Sequence, residues 1–549
     1  MRHWYLLLAS LLVYLLFAFY QLSLPGLHYD EAFEVVPAMQ ILKNLPITPF
    51  RESAISLFGR RFPLTTQDYI GALNTYGALP FLALGGINTT SLRVYSVLIG
   101  LLTLLLVYGL SANLARQPAA GLIAVAWLAV NPTFIFWSRQ GVFVTAITAA
   151  IGVAAAWSWL YWWRSKSYRF ALLGAFLFGL GLYAKLLFGW LIGALLGAFV
   201  LVVAAGWWRG SDRPRRLSAL FQRLLPLSGW QVIGLPAAGI AGCWPLVVYN
   251  LQTGGTFKSI TENAGVSYYG VNNADVLTNL ATRTEQLGIL LNGGHLWYLG
   301  NIYTNPLTMT LFGLAFMASL WLAYKTGRLT VLIPYLVIIL VVGQSVITVS
   351  ALWVTHYALI MVWPAIAFGV TWMFMTQAFQ NQPLARPILT GLVVLLIMTE
   401  AGNVIRYHQA LKISGGLSTH SDAIYDLAVW LEAQNEASVI GMDWGLAAPI
   451  TFLTAGRVTP IESFGYAWAG NDRFAGIITP HLSPQGAIFL WRAPDEIIFD
   501  RSADFKALYR PLNLEETILA AFYERSGRPV MGATHLVPAG TAENKPLEP

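Results

Sequence analysis

The chain has 549 residues, of which 56% are hydrophobic and 11% are charged, and its formal net charge is +7. A soluble protein carries roughly 25% charged residues, so this composition excludes an ordinary soluble domain and indicates a polytopic membrane protein. The single cysteine, Cys243, excludes a disulfide framework.

Long apolar runs predict eleven membrane-spanning helices. The fifth and sixth form one apolar stretch, 171–205, which is interrupted only by Lys185. At about 1.5 Å per residue this stretch is too long for one crossing, so we divide it at the lysine. The predicted spans are 4–24, 92–113, 119–137, 142–163, 170–185, 188–207, 229–249, 304–324, 330–350, 357–379 and 387–405.

Every second loop between these spans is basic, which predicts a cytoplasmic N-terminus. The loops 25–91 and 250–303 and the C-terminal tail then lie outside the cell membrane. The cytoplasmic loops account for much of the net charge, so no nucleic-acid partner is predicted. The basic residues are Arg2, Arg116, Arg164, Lys166, Arg169, Arg209, Arg213, Arg215, Arg216, Arg223, Lys325, Arg328 and Arg386.

The tail changes character after the last span and predicts a small extracytoplasmic α/β domain over 407–549, following a membrane module over 1–406. Apolar residues at helical spacing predict a helix over 421–434. β-branched and aromatic runs predict short strands, and a Pro- and Glu-rich end predicts a loose terminus over 538–549. The predicted strands are 437–442, 487–491 and 496–499.

Several ionisable residues border the external ends of the apolar spans, where charge is costly and therefore indicates function. Two of them form the pair Asp30-Glu31, just after the Pro25-Gly26 turn that ends the first span. Carboxylates beside cations are typical of a site that binds an anion and removes a proton. The set comprises Asp30, Glu31, Glu34, Arg93, Arg139, Lys185 and His356.

Simpler interpretations exist for the same residues. Asp30 and Glu31 suit the N-terminus of a helix, and Lys185 suits a span end from which its side chain reaches the surface. The two arginines suit interfacial anchors, and His356 lies among aromatic residues of a membrane-interface belt.

The order of these pieces resembles the GT-C membrane glycosyltransferases that use polyprenyl-phosphate sugars, in particular the protein O-mannosyltransferase and aminoarabinose transferase branch. The resemblance covers about 1–410 and depends on the order of the motifs together with the topology. The pieces are His28-Tyr-Asp-Glu31, Ser91-Leu-Arg-Val-Tyr95, Asn131-Pro132, Trp137-Ser-Arg139, Gly179-Leu-Gly-Leu-Tyr-Ala-Lys185 and His356-Tyr357.

The resemblance implies an inverting glycosyltransferase in which Asp30 is the catalytic base and Glu31 a second catalytic acidic residue. Phosphate leaves without protonation, so one base suffices, unlike in glycosidases. By the same resemblance, Lys185, Arg139, His356 and Arg93 bind the donor phosphate, and Tyr29 and Tyr357 contact substrate.

One departure concerns a second acidic residue, because relatives often have one two positions after the arginine matched by Arg139. Here the run is Arg139-Gln-Gly-Val, so that role would pass to Glu31, Asp68 or Glu262, or be absent. No dedicated metal site is predicted, although a divalent cation shared between Asp30 and the donor phosphate stays open.

The sequence thus predicts a multi-pass protein of the cytoplasmic (inner) membrane, with its active site and C-terminal domain facing outside. Its expected partners are a polyprenyl-phosphate sugar donor, membrane lipids, and a lipid, glycan or protein acceptor. Two alternatives use the same cations: a transporter or flippase, and a binding scaffold for a lipid-linked anionic glycan. Charges confined to one face, without paired repeats, favour the enzyme over the transporter.

Overall fold

The computed structural model describes residues 2–209, 229–347, 352–434, 438–464 and 471–541. A helical membrane module comes first and a sheet-bearing domain follows. The helices of the module are α1 (Arg2–Phe19), α2 (Tyr29–Phe33), α3 (Val36–Lys43), α4 (Leu73–Gly85), α5 (Thr89–Ala115), α6 (Pro118–Leu128), α7 (Pro132–Arg139), α8 (Ile147–Ser165), α9 (Tyr168–Ala184), α10 (Phe188–Arg209), α11 (Gly229–Thr253), α12 (Gly255–Glu262), α13 (Val276–Asn292), α14 (Pro306–Thr326), α15 (Ile333–Ser345), α16 (Trp363–Ala378) and α17 (Ala385–Ser414).

Each predicted span coincides with an apolar helix or a bent pair of helices, so the multi-pass helical architecture is confirmed. Among the described residues, five helices are long and apolar enough to cross a membrane, or seven when each bent pair counts as one span. Three others are shorter apolar helices. The count of eleven spans therefore stays a prediction. Predicted loop residues Arg213, Arg215, Arg216 and Arg223, and the end of the 330–350 span, lie outside the described residues.

The predicted continuous span 119–137 is broken into α6 and α7, which meet at 70°. Asn131 caps α7 by accepting the backbone N–H of Phe134 at 3.0 Å, and Pro132 fills its first turn. The buried Glu400 carboxylate accepts the side-chain amide of Asn131 at 3.4 Å and that of Asn305 at 3.0 Å. These hydrogen bonds tie the break to α14 and α17.

Between α1 and α5 the chain forms a compact segment at one end of the bundle. It contains α2, α3 and α4 and two short antiparallel hairpins, β1 (Ala54–Leu57) with β2 (Arg60–Pro63), and β3 (Thr65–Gln67) with β4 (Ile70–Gly71). The second hairpin packs on the end of α9, where a side chain at Gly71 would collide with Tyr183. This contact places the hairpin beside Lys185.

The C-terminal domain is a mixed five-stranded sheet flanked by helices. Its helices are α18 (Ala423–Ala433), α19 (Ala447–Leu453), α20 (Asn471–Ile478) and α21 (Ser502–Tyr509). Its strands, β5 (Ser438–Gly441), β6 (Ile461–Glu462), β7 (Ala487–Arg492), β8 (Leu514–Tyr523) and β9 (Pro529–Pro538), follow the order β6-β5-β7-β9-β8. β5 pairs in parallel with β6 and β7, whereas β9 pairs antiparallel with β7 and β8.

The predicted helix at 421–434 and the predicted strands at 437–442 and 487–491 correspond to α18, β5 and β7, but the predicted strand at 496–499 is wrong. There the backbone N–H groups of Ile498 and Phe499 donate to the buried carboxylate of Asp443, at 2.9 and 2.8 Å, instead of joining a sheet. The hairpin of β8 and β9 was missed. Residues 542–549 of the predicted loose end lie outside the described residues.

The C-terminal domain packs directly on the turn that precedes α2. Gly26 donates its backbone N–H to the carbonyl of His420 at 2.8 Å, and any side chain there would collide with Ser421. The Tyr425 hydroxyl donates to the Ser23 carbonyl at 2.7 Å. The domain therefore shares an interface with the segment that carries Asp30.

Candidate active site

Asp30 lies in the first turn of the short helix α2. His28 caps this helix, since its Nδ1 accepts the backbone N–H of Asp30 at 3.1 Å. Burial raises the pKa of the Asp30 carboxyl to about 6, and the nearby charge of Lys185 opposes that rise. A half-buried carboxylate with a pKa near neutrality suits a general base.

Glu34, four residues after Asp30, is a second buried carboxyl on the same face of the chain. It accepts the side-chain amide of Asn74 at 2.7 Å. Burial raises its pKa above the ordinary range, and the neighbouring Asp30 acts in the same direction. These effects favour the protonated form of Glu34.

Lys185 directly follows α9 and lies close enough for its charge to act on both carboxyls. Its position is fixed by the chain on either side. The Lys185 backbone N–H donates to the Gly181 carbonyl at 3.0 Å, and that of Leu186 donates to the Tyr69 carbonyl at 2.9 Å. The structure therefore brings together Asp30, Glu34 and Lys185, which we call the carboxylate cluster.

Several aromatic residues lie at the same end of the bundle as this cluster. The charge of Asp30 acts on Tyr269, whose ring lies 6.3 Å from that of Trp353. Three residues further along the chain, the His356 ring lies 6.3 Å from that of Trp190, near the start of α10. The predicted residue His356 thus lies beside Trp190, and its backbone N–H donates to the Trp353 carbonyl at 3.2 Å.

Beyond Trp190 lies Arg283, a fully buried arginine that the sequence analysis missed. Its guanidinium lies 5.4 Å from the ring centre of Trp190 and 5.6 Å from that of Tyr357. It donates to the Gln286 side chain at 3.0 Å. Within the part of the chain that the structure describes, its Nη2 has no hydrogen-bond partner. A buried cation with a free donor suits an anionic ligand.

The sequence did not predict a role for Arg283, because this residue lies mid-way along α13, an amphipathic helix that does not border an apolar span. A signal was nevertheless present, since Arg283 and Gln286 are three residues apart and therefore share one helix face. Glu34 was part of the ionisable set predicted from the sequence but had no role assigned, although its position four residues from Asp30 was a similar signal.

Glu31 and Arg93, a predicted catalytic and a predicted phosphate-binding residue, bind each other. Two hydrogen bonds of 2.8 and 2.9 Å join the guanidinium to the carboxylate, and both side chains are 0% exposed. Arg93 also donates to the carbonyls of Leu22, Pro25 and Gly26. The pair therefore holds the turn before α2, and we leave both residues out of the proposed site.

Arg139, also predicted to bind phosphate, contacts the same turn. Its guanidinium donates to the carbonyls of Gln21 and Leu24, the latter at 3.0 Å, and lies 3.4 Å from Nδ1 of His408. It lies inside the bundle and is 1% exposed. Its observed contacts are those of a residue that fixes the backbone, so it too is left out.

The two predicted substrate-contacting tyrosines lie in different surroundings. The Tyr29 hydroxyl donates to Glu462 of the C-terminal domain at 2.8 Å, and its ring lies 4.7 Å from that of Trp444. Tyr357 is buried beside Arg283, with its hydroxyl 3.0 Å from that of Ser345. Tyr29 therefore links the segment that carries Asp30 to the C-terminal domain, whereas Tyr357 forms part of the wall around Arg283.

The other residues considered for a second acidic role are engaged elsewhere. Asp68 pairs with Arg51 at 2.7 Å and accepts the Tyr249 hydroxyl. Glu262 lies 3.7 Å from Lys258 and accepts the Tyr268 hydroxyl. Glu34 is thus the second carboxyl beside Asp30.

Among the described residues there is no group of three or more His, Cys, Asp or Glu side chains placed to hold a metal ion. Asp30 and Glu34 offer oxygen ligands of the kind that divalent cations take. An ion bound there would need further oxygens from the donor phosphate.

Three comparisons bear on this arrangement. Residues 76–220 match the family of dolichyl-phosphate-mannose-protein mannosyltransferases. No sequence among curated proteins matches the chain. Two solved structures have the same architecture. The apo oligosaccharyltransferase of Archaeoglobus fulgidus superimposes with a TM-score of 0.51 at 13% identity, covering 89% of this chain and 69% of that one.

The second structure is ArnT from Cupriavidus metallidurans bound to undecaprenyl phosphate. It superimposes with a TM-score of 0.58 at 14% identity and covers 96% of this chain and 97% of that one. This chain has the GT-C fold. The resemblance drawn from the sequence is thereby confirmed, and the carboxylate cluster lies at one end of a GT-C bundle.

Proposed function

We propose that this GT-C protein is an inverting glycosyltransferase that takes a sugar from a polyprenyl-phosphate donor. The observation that carries the proposal is the carboxylate cluster, in which a half-buried Asp30 with a raised pKa lies beside Lys185. The match to a dolichyl-phosphate-mannose mannosyltransferase family and the undecaprenyl phosphate bound to ArnT support the choice of donor.

In the proposed reaction, Asp30 removes the proton from an acceptor hydroxyl or amine as that atom attacks the anomeric carbon of the sugar. The bond between the anomeric carbon and the phosphate oxygen breaks, and polyprenyl phosphate leaves with the bonding electrons. A single displacement of this kind inverts the anomeric centre. Since phosphate needs no proton to leave, the mechanism requires only one base.

Lys185 and Arg283 would stabilise the phosphate from two sides, Lys185 as a compact charge and Arg283 through its free Nη2 donor. Glu34, with its raised pKa, is suited to hold a proton and to orient Asn74 without adding a second negative charge. His356 and Tyr357 would line the path between the two cations.

We further propose that the reaction takes place at the outer face of the cytoplasmic membrane, as the distribution of basic loops predicts. The acceptor would approach from the side of the C-terminal domain, because Glu462 and Trp444 of that domain contact Tyr29, next to Asp30. Lipid, glycan and protein hydroxyls all fit this geometry.

The experiment that tests the function is sugar transfer from a panel of radiolabelled polyprenyl-phosphate sugars in membranes that contain the protein. Incorporation of label into acceptor, with release of polyprenyl phosphate, is the expected result. Donor binding without product across a broad acceptor panel would instead favour a flippase or a lipid-binding scaffold.

The rate of transfer should depend on pH through Asp30. Because a base acts only when deprotonated, and burial raises the pKa of Asp30 to about 6, kcat/KM should fall about tenfold per pH unit below pH 6 and level off above it. The donor is a phosphodiester and has no group that titrates in this range. The measurement is a pH profile of transfer between pH 5 and 8.

Glu34→Gln provides the control for this assignment. If Asp30 is the titrating group, kcat/KM of that variant still falls below pH 6. If this fall disappears, Glu34 is the titrating group and the role of Asp30 is contradicted. A profile that is flat between pH 5 and 7 would also contradict it.

Arg283→Gln should weaken donor binding. A charge-assisted hydrogen bond contributes about 1.5 to 3 kcal/mol, so the KM for donor should rise about 10- to 100-fold. Arg283→Lys should recover part of the loss because it retains the charge but not the forked donors. The matched control is Glu285→Gln, an exposed change on the same helix. Unchanged donor KM in Arg283→Gln would remove this residue from the site.

A further inference from the structure

A cavity of about 660 Å³ lies at the end of the bundle where α5 and α8 finish and α6 begins. Its volume falls in the range of roughly 300 to 1,000 Å³ that is typical of ligand sites. Arg116, Arg164 and Trp163 are among its lining residues. None of the residues proposed for sugar transfer contributes to it.

The cavity lies on the opposite side of the bundle from Asp30. Helix α8 begins just after Thr145, which lies beside Glu34, and ends at Ser165, next to Arg164. Its 19 residues span about 28 Å. Helix α5 likewise runs from the Arg93 end to the cavity. One phosphate group therefore cannot contact both places, and this cavity is a second site.

Three cations gather at the cavity, none of which has a carboxylate partner among the described residues. Arg116 and Arg164 line it, and the Lys166 ammonium lies 4.0 Å from the ring centre of Trp163. In the described ranges, no ion pair includes any of these three residues. The Arg164 guanidinium donates a hydrogen bond to the carbonyl of Asn113, which fixes the orientation of the side chain. Adjacent like charges of this kind are stabilised by a bound anion.

The N-terminus of α6 adds a further positive group. Gln117, its N-cap residue, forms no side-chain capping hydrogen bond, and Pro118 occupies the first turn. Both residues line the cavity. Pro118 has no N–H, and the backbone N–H groups of Gln117 and Ala120 donate to the carbonyls of Ala112 and Gln117. The contribution of this 11-residue helix is therefore the positive end of its dipole, which points toward the same space as the two arginines.

We propose that this cavity binds a phosphate group, either that of an anionic lipid headgroup or phosphate free in solution. Arginine forks and a helix N-terminus are the groups that bind phosphate oxygens, and Trp163 and Leu160 provide apolar surface beside them. The site is independent of the transfer reaction and would exist in a transporter or scaffold as well.

Native mass spectrometry of the purified full-length protein tests the proposal with phosphatidylglycerol as the probe. Wild type should retain phosphatidylglycerol with an affinity at least about tenfold higher than Arg116→Gln/Arg164→Gln. Arg328→Gln is the matched control, because it removes a basic residue that does not line the cavity. Equal retention by wild type and the double variant would overturn the proposal.

Competition with inorganic phosphate distinguishes the two sources. If millimolar phosphate displaces the lipid, and its binding is lost in the double variant, the site takes free phosphate; if the lipid stays bound, the site takes a headgroup. Either result supports the proposal. Should the double variant fail to fold, Arg116→Gln alone serves the test, because Arg116 is exposed at the end of α5.

Discussion

Replacing Asp30 with asparagine should lower sugar transfer about 10²- to 10⁴-fold, the contribution typical of a positioned general base. The amide has nearly the shape of the carboxylate but cannot accept the proton. Donor binding should remain, because Lys185 and Arg283 are unchanged and the substitution leaves intact the hydrogen bond that the Asp30 backbone N–H donates to Nδ1 of His28. The measurement is initial rate of transfer at saturating donor, together with donor affinity.

Two comparisons make this result specific to the base. Glu285→Gln removes an exposed carboxylate on α13 and should retain the wild-type rate. Glu34→Gln replaces the neighbouring buried carboxyl with an amide of nearly the same shape as the protonated acid. The rate of transfer should therefore decrease much less in this variant than in Asp30→Asn. Wild-type transfer in purified Asp30→Asn would show that the proposed base is wrong.

The sequence was a good guide to the membrane helices because hydrophobic length is a local property. Lys185 was found for a related reason, since a single charge within a long apolar stretch is visible without any structure. The break between α6 and α7 was missed, although Asn131-Pro132 is a typical helix start. The break is held by hydrogen bonds to Glu400, and the bond from Asn131 joins residues 269 positions apart.

The roles of neighbouring charges were harder to predict. Asp30 and Glu31 are adjacent in sequence, but a helix directs them to different faces, so Glu31 meets Arg93 and Asp30 meets Lys185. The i, i+4 relation to Glu34 was the better guide to the second carboxyl. Arg93 and Arg139 donate to backbone carbonyls of the turn before α2. Every residue has a backbone carbonyl, so residue types alone do not show which carbonyls accept these hydrogen bonds.

The Glu31–Arg93 pair yields the second large effect, on stability. Glu31→Gln should lower the free energy of unfolding by about 3 to 5 kcal/mol, since it leaves the Arg93 charge buried without its counter-charge. Glu52→Gln breaks an ion pair with Arg61 in which both side chains are exposed, and it should cost at most about 1 kcal/mol. The thermal unfolding midpoint of purified protein in detergent measures both changes.

The double variant Glu31→Gln/Arg93→Met then separates structure from catalysis. Removing both charges should recover part of the stability, although the hydrogen bonds from Arg93 to the carbonyls of the turn are lost with the guanidinium. Because that turn positions α2, the rate of transfer per folded molecule should decrease in this variant. The decrease should grow with the loss of order in the turn. If Glu31→Gln instead kept the wild-type unfolding midpoint and lost transfer, Glu31 would belong to the chemistry, and Asp30 would share its role.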